Sequence, residues 1–357
     1  MENDSHLFST LTVRSVILRN RIGVSPMCQY SATDGFANDW HYVHLGSRAV
    51  GGAGLVMMEA TAVAPEGRIT PGCLGLWSDQ HIEPLARIAT FVKAQGAIVG
   101  IQIAHAGRKA SADLPWKGGA HLSDAQGGWE TIAPSAVPFG DFLPKVPRAM
   151  TEAGIVRVQN NFVATAQRAL TAGFQWLELH AAHGYLFNEF LSPLSNQRTD
   201  QYGGSFENRT RLLVETARAV RKVWPGNLPL AVRVSAIDWM PAGWQIEDSI
   251  ALAKLLKAEG VDLVDCSSGG IVPDAKIEVK PGYQVPFAEK VRQGAQIKTA
   301  AVGFITEPKQ ADDIIRSGKA DITFLARQML VDPYWPAHAA KVLGQKITIP
   351  NQYLRAW

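Results

Sequence analysis

The sequence predicts an α/β protein built as a (β/α)₈ TIM barrel, and three observations support this prediction. From Gly23 onwards a short apolar strand, a loop and a helical stretch alternate eight times, which is the pattern of repeated parallel βαβ units. Several helical stretches end just before a glycine, where a left-handed C-cap favours that residue. The chain has 357 residues, enough for one barrel domain, for which about 250 are typical, with additional segments.

The eight expected strands occupy residues 22–27, 54–62, 98–104, 176–180, 230–235, 263–267, 299–303 and 322–326. The clearest helical stretches between them occupy residues 84–95, 154–172, 208–223, 246–259 and 308–317. Four of these stretches are followed by Gly96, Gly173, Gly260 and Gly318. These glycines indicate where the helices end.

The residues beyond a minimal barrel fall into two segments of a single domain, residues 1–357. Residues 8–19 resemble a hairpin, which we expect to close the floor of the barrel. Residues 107–151 are rich in Pro, Gly and Trp, lack periodicity and follow the third strand. This long excursion is therefore expected to cap the C-terminal mouth. Its aromatic residues Trp116, Trp129 and Phe139 favour a packed lid.

Composition excludes several classes of protein. The 35 basic and 32 acidic residues give a net charge of +3 without a long run of like charges, so no nucleic-acid-binding arm is expected. The chain shows neither an apolar window of membrane-spanning length nor an apolar N-terminal stretch, so neither a membrane span nor a signal peptide is expected. The three cysteines, Cys28, Cys73 and Cys266, are odd in number and far apart in the sequence. This indicates reduced thiols in a cytoplasmic protein.

Polar residues are concentrated where the strands of a barrel would end, which is where barrel enzymes place their active sites. The fourth strand ends in His180, His183 and Tyr185. Taken alone, the two histidines could be structural, catalytic or half of a metal site. No His-Glu-x-x-His or paired Cys-x-x-Cys motif accompanies them, so no metal is expected.

Two polar residues interrupt otherwise apolar strands. Arg233 requires an anion, either a side chain such as Glu178 or a ligand, because an unpaired buried guanidinium is very costly. Gln102 offers both a donor and an acceptor, which suits the pyrimidine edge of a flavin. The loops that begin at Gly303 and Ala326 follow the last two strands, where barrels often bind phosphate. No Gly-x-Gly-x-x-Gly follows a strand, so a Rossmann domain is not expected.

Four segments together resemble the old yellow enzyme family of FMN-dependent ene-reductases, and the resemblance extends over nearly the whole chain. These segments are residues 25–30, 102–108, 180–186 and 196–209. The last is long and highly specific. Cys28 and His183 resemble the thermophilic-like bacterial branch of the family, which includes xenobiotic reductases and YqjM-type enzymes.

The resemblance implies FMN bound non-covalently across the barrel mouth, with NADPH or NADH as the reductant. The residues implied around the flavin are Ser25, Pro26, Met27, Cys28, Ala60, Gln102 and Arg233. Those implied at the phosphate are Gly303, Ala326 and Arg327. Many relatives have glycine where this chain has Ala326. The alanine keeps its backbone N–H, so phosphate binding is expected to survive unless the position requires a positive φ.

The resemblance also implies a substrate and a mechanism. His180 and His183 would bind the carbonyl oxygen of a small α,β-unsaturated carbonyl or nitro compound, and Tyr30 would help hold it. Hydride would pass from the flavin to the β-carbon. The two imidazoles would stabilise the resulting enolate, as an oxyanion hole does. Tyr185 would protonate the α-carbon, because a phenol with a pKa near 10 is protonated at working pH.

The C-terminal segment, residues 351–357, is aromatic and basic. Such an end could be a frayed tail. The resemblance implies instead that it crosses into the active site of a neighbouring subunit and brings Arg355 and Trp357 with it. The protein would then be a homodimer or a homotetramer.

Three alternative functions remain open. The chain could be another FMN-barrel oxidoreductase, of the dienoyl-CoA reductase or dihydroorotate dehydrogenase type, although the first normally adds an iron–sulfur segment and a nucleotide domain. A non-redox phosphate-binding barrel would need a catalytic lysine or carboxylate at the mouth, and none is compelling. A flavin-binding protein without turnover would bind FMN equally well but would not need Tyr185.

Overall fold

Eight parallel strands close into a barrel, so the predicted fold class is confirmed. The computed structural model describes residues 6–356. The barrel strands are β1 (Ile22–Val24), β2 (Leu55–Ala62), β3 (Ile98–Ala104), β4 (Trp176–Ala181), β5 (Leu230–Ser235), β6 (Leu263–Ser267), β7 (Lys298–Ala301) and β8 (Ile322–Leu325). Each pairs in parallel with the next, and β8 pairs with β1. Nearly all of their residues are buried, as expected for a parallel sheet that is covered on both faces.

The helices follow the strands, as the sequence predicts. They are α1 (Asp39–Val50), α2 (Ile82–Ala94), α3 (Glu152–Thr171), α4 (Leu186–Leu191), α5 (Phe206–Val223), α6 (Ile246–Ala258), α7 (Val285–Ala295), α8 (Pro308–Arg316), α9 (Arg327–Val331) and α10 (Trp335–Val342). The four glycines expected after helices all have positive φ, between +69° and +85°. They therefore end their helices in the left-handed conformation.

An N-terminal hairpin seals the bottom of the barrel. Strands Leu11–Val13 and Val16–Leu18 pair antiparallel, and each buries alternate apolar side chains. These side chains pack with Leu55, Trp176 and Phe324 in a core separate from the one between the strands and helices. The barrel is therefore closed at this end, and its open end is the C-terminal mouth.

Strands β1, β7 and β8 end earlier than the sequence suggests, β7 at Ala301 rather than at residue 303 and β8 at Leu325 rather than at residue 326. Strand β1 ends at Val24 rather than at residue 27, because Pro26 has no N–H with which to continue a ladder. The backbone remains tied one residue further, where Ser25 N–H donates to the carbonyl oxygen of Leu325. Residues 25–30 consequently form a loop at the mouth and not a strand.

The excursion after β3 has little regular structure. It contains the 3₁₀ turns Gly107–Lys109, Pro115–Lys117 and Asp124–Gln126, and the short paired strands Ile132–Ala133 and Arg148–Ala149. Trp129 is anchored, because its Nε1 donates to Glu66 O and its ring lies 5.0 Å from the Arg68 guanidinium. Trp116, in contrast, is 65% exposed. The tryptophans of this segment thus contribute unequally to its packing.

No helix within residues 6–356 is long and apolar enough to cross a membrane.

Candidate active site

Three aromatic side chains cluster where β4 ends. His180 is the second-last residue of the strand, His183 lies in the following turn, and Tyr185 is the N-cap of α4. The His180 ring centroid lies 5.1 Å from that of His183 and 5.0 Å from that of Tyr185, with both pairs nearly perpendicular. The sequence prediction that these three side chains form one cluster is met in the geometry.

The turn that carries His183 is strained and held from several sides. His183 has φ +61°, a conformation that is uncommon outside glycine. Its N–H donates to Ser235 Oγ at 2.9 Å, and its Nε2 lies 2.7 Å from Ser267 Oγ. A side chain at the next residue, Gly184, would bring its Cβ within 2.0 Å of Gly270 O. The turn therefore packs directly against the loop that follows β6.

Burial sets the protonation states of the cluster. It lowers the pKa of both His180 and His183 well below the ordinary value, and the positive charge of Arg233 adds to the effect. It raises the pKa of Tyr185 well above that of a free phenol. Near neutral pH the site therefore holds two neutral imidazoles and a protonated phenol. His180 Nδ1 accepts from Ala182 N–H at 3.2 Å, so its Nε2 carries the proton.

Lys109 belongs to this cluster and was not identified from the sequence. Its Nζ donates to His183 O at 2.8 Å and to Gly270 O at 3.1 Å. The same ammonium lies 5.3 Å from the ring centroid of Tyr185. Burial lowers the Lys109 pKa to about 8, although the charge of Glu189 opposes this shift. The only sequence signal was its place at the end of the Ala-Gly-Arg-Lys run that follows β3.

Below the aromatic cluster, Arg233 finds its anion in Asp265. Arg233 Nε lies 3.1 Å from Asp265 Oδ2, and its Nη1 donates to Ser25 Oγ at 3.1 Å. The sequence predicted an anionic side chain, with Glu178 as the example, or a ligand, and the partner is a different side chain. Glu178 Oε1 accepts from Gln102 Nε2 at 2.8 Å. Asp265 could have been recognised by the signal that singled out Arg233, since it is a charged residue within an apolar strand.

A cavity of about 360 Å³ extends from Arg233 to the loops after β7 and β8. Gly303, Ala326 and Arg327, for which the family resemblance implies phosphate binding, line it together with Ser267 and Gln284, which the sequence did not suggest. Gly303 has φ +127°, and a Cβ there would lie 3.0 Å from Gln284 Nε2. Ala326 has φ −103°, so the position does not require the positive φ that would favour glycine. With a buried guanidinium at one end and the Arg327 cation at the other, this cavity fits a group that joins a polar ring to a phosphate.

The loop after β1 forms a second wall of the mouth, beside the loop after β8, because these two strands are neighbours in the barrel. Burial and the charge of Glu59 raise the pKa of Cys28, so it is a thiol. Burial likewise raises the pKa of Tyr30. A second cavity, of about 280 Å³, lies between Tyr30, Lys109 and the capping excursion, where Phe142 and Leu143 line it.

The remaining predicted residues of this wall lie along the same loop and on β2. Pro26 and Met27 are half-buried beside Cys28, and Ala60 is buried. Ala60 pairs with Gln102 in register, directly after an irregularity in β2 at Met58–Ala60. That irregularity leaves Glu59 beside the loop, where its Oε2 accepts from Gln29 N–H at 3.0 Å.

Residues 351–356 of the C-terminal tail do not enter the site of their own chain. Arg355 is exposed and lines none of the cavities above. The tail rests on α10, since Tyr353 Oη lies 3.3 Å from Tyr334 Oη. Trp357, the other predicted tail residue, lies outside the described residues.

All three cysteines are unpaired. No group of three or more His, Cys, Asp or Glu side chains in residues 6–356 could hold a metal ion.

A closed barrel whose mouth combines neutral imidazoles, a phenol and a cation-lined cavity defines an enzyme that works with a phosphate-bearing cofactor. The chain belongs to the NADH:flavin oxidoreductase / NADH oxidase family, whose model matches residues 6–346. It is thus an NAD(P)H-dependent flavin oxidoreductase with FMN as its non-covalent cofactor.

Individual relatives agree with this assignment. The chain is 51% identical to an NADPH dehydrogenase from Geobacillus sp. (strain WCH70), over 99% of both chains. Among solved structures it is similar to morphinone reductase, with a TM-score of 0.80 and 26% identity over 98% of this chain and 92% of the other. It is also similar to an old yellow enzyme homologue from Zymomonas mobilis, with a TM-score of 0.77 and 25% identity over 96% and 94%. The resemblance to the old yellow enzyme family is confirmed.

Proposed function

We propose that this protein is an ene-reductase that reduces the C=C bond of small α,β-unsaturated carbonyl or nitro compounds. The observation that carries the proposal is the cluster of two neutral imidazoles and a protonated phenol, with ring centroids about 5 Å apart, at the mouth of a flavin barrel. Such a bond accepts hydride readily only when charge can develop on a conjugated oxygen. Neutral N–H donors beside a proton donor meet that requirement.

Each residue of the cluster has a proposed task. His180 donates from Nε2 to the substrate oxygen, and His183 provides a second donor to the same atom. Tyr185 transfers its Oη proton to the α-carbon, which its raised pKa permits because the phenol is fully protonated near neutral pH. Bound FMN supplies the hydride. Lys109 holds the His183 turn in place through its two carbonyl contacts.

The cofactor would lie between the two walls of the mouth. We assign its ring to Ser25, Pro26, Met27, Cys28, Ala60, Gln102 and Arg233, and its phosphate to Gly303, Ala326 and Arg327. Support comes from the buried Arg233–Ser25 contact and from the 360 Å³ cavity that continues to Arg327. Because Cys28 is a thiol at the edge of this space, it would touch the flavin without carrying a charge.

The substrate side would be completed by Tyr30, by the excursion of residues 107–151 as a lid, and by a neighbouring subunit. The exposed tail carries Leu354, which is 59% exposed, and Arg355. We propose that this tail reaches the partner's mouth in a homodimer or homotetramer, with Arg355 and Trp357 beside the substrate. The unpaired cysteines are consistent with a cytoplasmic setting.

The decisive experiment separates the two half-reactions. Tyr185→Phe should leave flavin reduction by NADPH near its normal rate, because no proton from Tyr185 is needed there. Flavin reoxidation by cyclohexenone should fall by about 10²-fold or more, the usual contribution of a general acid. Both rates are measured by stopped-flow absorbance of the flavin. Unchanged reoxidation in the variant would contradict the role of Tyr185, and a wild-type enzyme that does not reduce any enone or nitroalkene would contradict the proposed function.

A further inference from the structure

Four polar side chains meet inside the barrel just below the mouth: Gln102 on β3, Glu178 on β4, Arg233 on β5 and Asp265 on β6. Glu178 and Asp265 have no solvent exposure, and the other two are buried. Strand register sets Gln102 beside Glu178, and Arg233 beside Asp265. In such an interior every charge needs a partner, because the desolvation of an isolated ion is very costly.

The charges in this cluster do not balance if both carboxyl groups are ionised. Arg233, the only cation of the four, is committed to Asp265 by the 3.1 Å contact of Nε with Oδ2. The partner of Glu178 is the uncharged amide of Gln102, at 2.8 Å from Oε1. Within residues 6–356, Glu178 Oε2 is buried and has no hydrogen-bond partner, and the same holds for both Asp265 oxygens. Asp265, however, has the Arg233 cation within ion-pair distance. A second negative charge would therefore stand without a cation.

We propose that Glu178 is a neutral carboxylic acid near neutral pH and serves as a positioning residue that orients the Gln102 amide, while Asp265 alone balances Arg233. In this arrangement Glu178 Oε1 accepts from Gln102 Nε2, and its proton resides on Oε2. The Gln102 carbonyl oxygen is then left as the acceptor available to a ligand at the mouth. The role toward FMN rests on the proposed location of the flavin, whereas the protonation of Glu178 does not.

The electrostatics of the cluster agree with this assignment. Burial raises the pKa of Glu178, and the negative charge of Asp265 raises it further, whereas Arg233 and the Gln102 hydrogen bond oppose the shift. Burial also raises the pKa of Asp265, but Arg233 opposes it directly. Of the two carboxyl groups Asp265 is thus the one that ionises first. His180, two residues further along β4, is a neutral imidazole and does not change the balance of charges in the cluster.

A neutral Glu178 has a measurable consequence for the bound flavin. With Glu178 protonated, the four side chains carry no net charge. Reduction of the flavin to its anionic form adds two electrons and one proton. Ionisation of Glu178 would place a negative charge below the flavin and disfavour that anionic form. The midpoint potential of the wild-type enzyme should therefore fall more steeply once the pH exceeds the pKa of Glu178. Glu178→Gln, which cannot ionise and keeps the acceptor for Gln102, should lack this extra fall.

The first test is infrared difference spectroscopy on the FMN-free protein, because it does not depend on the flavin. Near neutral pH the carbonyl stretch of a protonated, buried carboxyl should be present in the wild type and absent in Glu178→Gln. Glu189→Gln is the matched control, because Glu189 is a second fully buried carboxyl whose pKa is raised, to about 8. That variant should lose a different band. The proposal is overturned if Glu178→Gln loses no such band.

Asp265→Asn provides a test that does not require the Glu178 variant to fold. When Asp265 is neutral, Arg233 becomes the free cation of the cluster, so Glu178 should ionise and its protonated band should vanish near neutral pH. A band that persists in this variant would show that charge balance does not control Glu178.

The second test is the dependence of the flavin midpoint potential on pH in the wild type and in Glu178→Gln. If FMN binds and the two curves coincide, the positioning role of Glu178 is overturned while the proposed function stands. If FMN does not bind even to the wild type, the proposed function fails, and the infrared result still decides the protonation of Glu178.

Discussion

At the residue scale, His183 shows how one hydroxyl group determines what an imidazole can donate. Ser267 Oγ lies 2.7 Å from His183 Nε2 and 3.3 Å from Gln284 Oε1. The Gln284 oxygen already receives the proton of Ser268 Oγ at 2.6 Å. Ser267 Oγ can donate either to Gln284 Oε1 or to His183 Nε2, and we expect its proton on the shorter contact, the one with His183 Nε2. The His183 ring would then carry its own proton on Nδ1, the atom left to donate to the substrate.

Removal of the Ser267 hydroxyl should allow the His183 ring to carry its proton on Nε2 instead of Nδ1. For Ser267→Ala we expect the KM for the enone to rise about five- to tenfold, the loss of about 1 kcal/mol for one neutral hydrogen bond. Flavin reduction should change little. The ¹⁵N NMR shifts of the His183 ring report the tautomer directly. Ser268→Ala leaves the Gln284 oxygen to Ser267 alone, so it should shift the His183 ring towards protonation on Nε2. A wild-type ring protonated on Nε2 would contradict the expected tautomer.

At the scale of elements, the local pattern of the chain predicted most of the barrel but few of its contacts. The strands and the glycines that end four helices follow from periodicity and backbone preference, which are local properties. Helices α4, α7, α9 and α10 were not among the stretches that the sequence analysis names, and neither was α1. It contains Gly46, whose Cβ would come within 2.8 Å of the Phe91 ring on α2. Close packing against α2 thus requires a glycine at this position. Because glycine has a low helix propensity, the sequence of α1 is less clearly helical.

The site was predicted where one segment supplies it and missed where distant segments meet. His180, His183 and Tyr185 lie within six residues, so their clustering could be predicted from the sequence. The Arg233–Asp265 pair depends on the register between β5 and β6. Likewise Lys109 reaches the His183 turn from the loop after β3. Such partners are fixed by the closure of the barrel, which no local pattern reports.

The C-terminal tail is the element whose removal tests whether the site is shared between subunits. Deletion of residues 353–357 should remove the Tyr353–Tyr334 contact and the exposed Arg355 together. If the tail completes a neighbour's site, assembly should weaken and the KM for the enone should rise, while NADPH still reduces the flavin. Sedimentation and steady-state kinetics measure the two effects.

Arg355→Ala separates the two contributions of the tail. It should raise the KM and leave assembly intact, because the contact of Tyr353 with Tyr334 still holds the tail on its own chain. Unchanged kinetics and unchanged assembly in the deletion variant would contradict a shared site.

At the scale of the whole molecule, buried titratable groups make stability depend on pH from both sides. Burial lowers the pKa of His44 and His105 to about 3. The unfolded chain protonates these groups below about 6.5, so their contribution to stability is lost as the pH falls from that value. Burial raises the pKa of Glu189 to about 8. The folded protein then keeps a proton on Glu189 that the unfolded chain releases above about pH 4.3. The stabilisation that Glu189 provides is therefore lost as the pH rises to about 8.

Between pH 6.5 and about 8 the histidines are neutral in both states, so the raised pKa of Glu189 should make the unfolding free energy fall as the pH rises. Glu189→Gln keeps the acceptor for Arg108 N–H, which donates to Oε1 at 2.8 Å, but cannot ionise. It should flatten the alkaline side by up to about 1.4 kcal/mol per pH unit. Urea unfolding midpoints over a pH series measure this slope. Glu83→Gln, at an exposed site on α2, is the control and should leave the slope unchanged. An alkaline slope in Glu189→Gln equal to that of the wild type would mean that Glu189 is already ionised in the folded protein, and that its charge is balanced by Lys109 and Arg108.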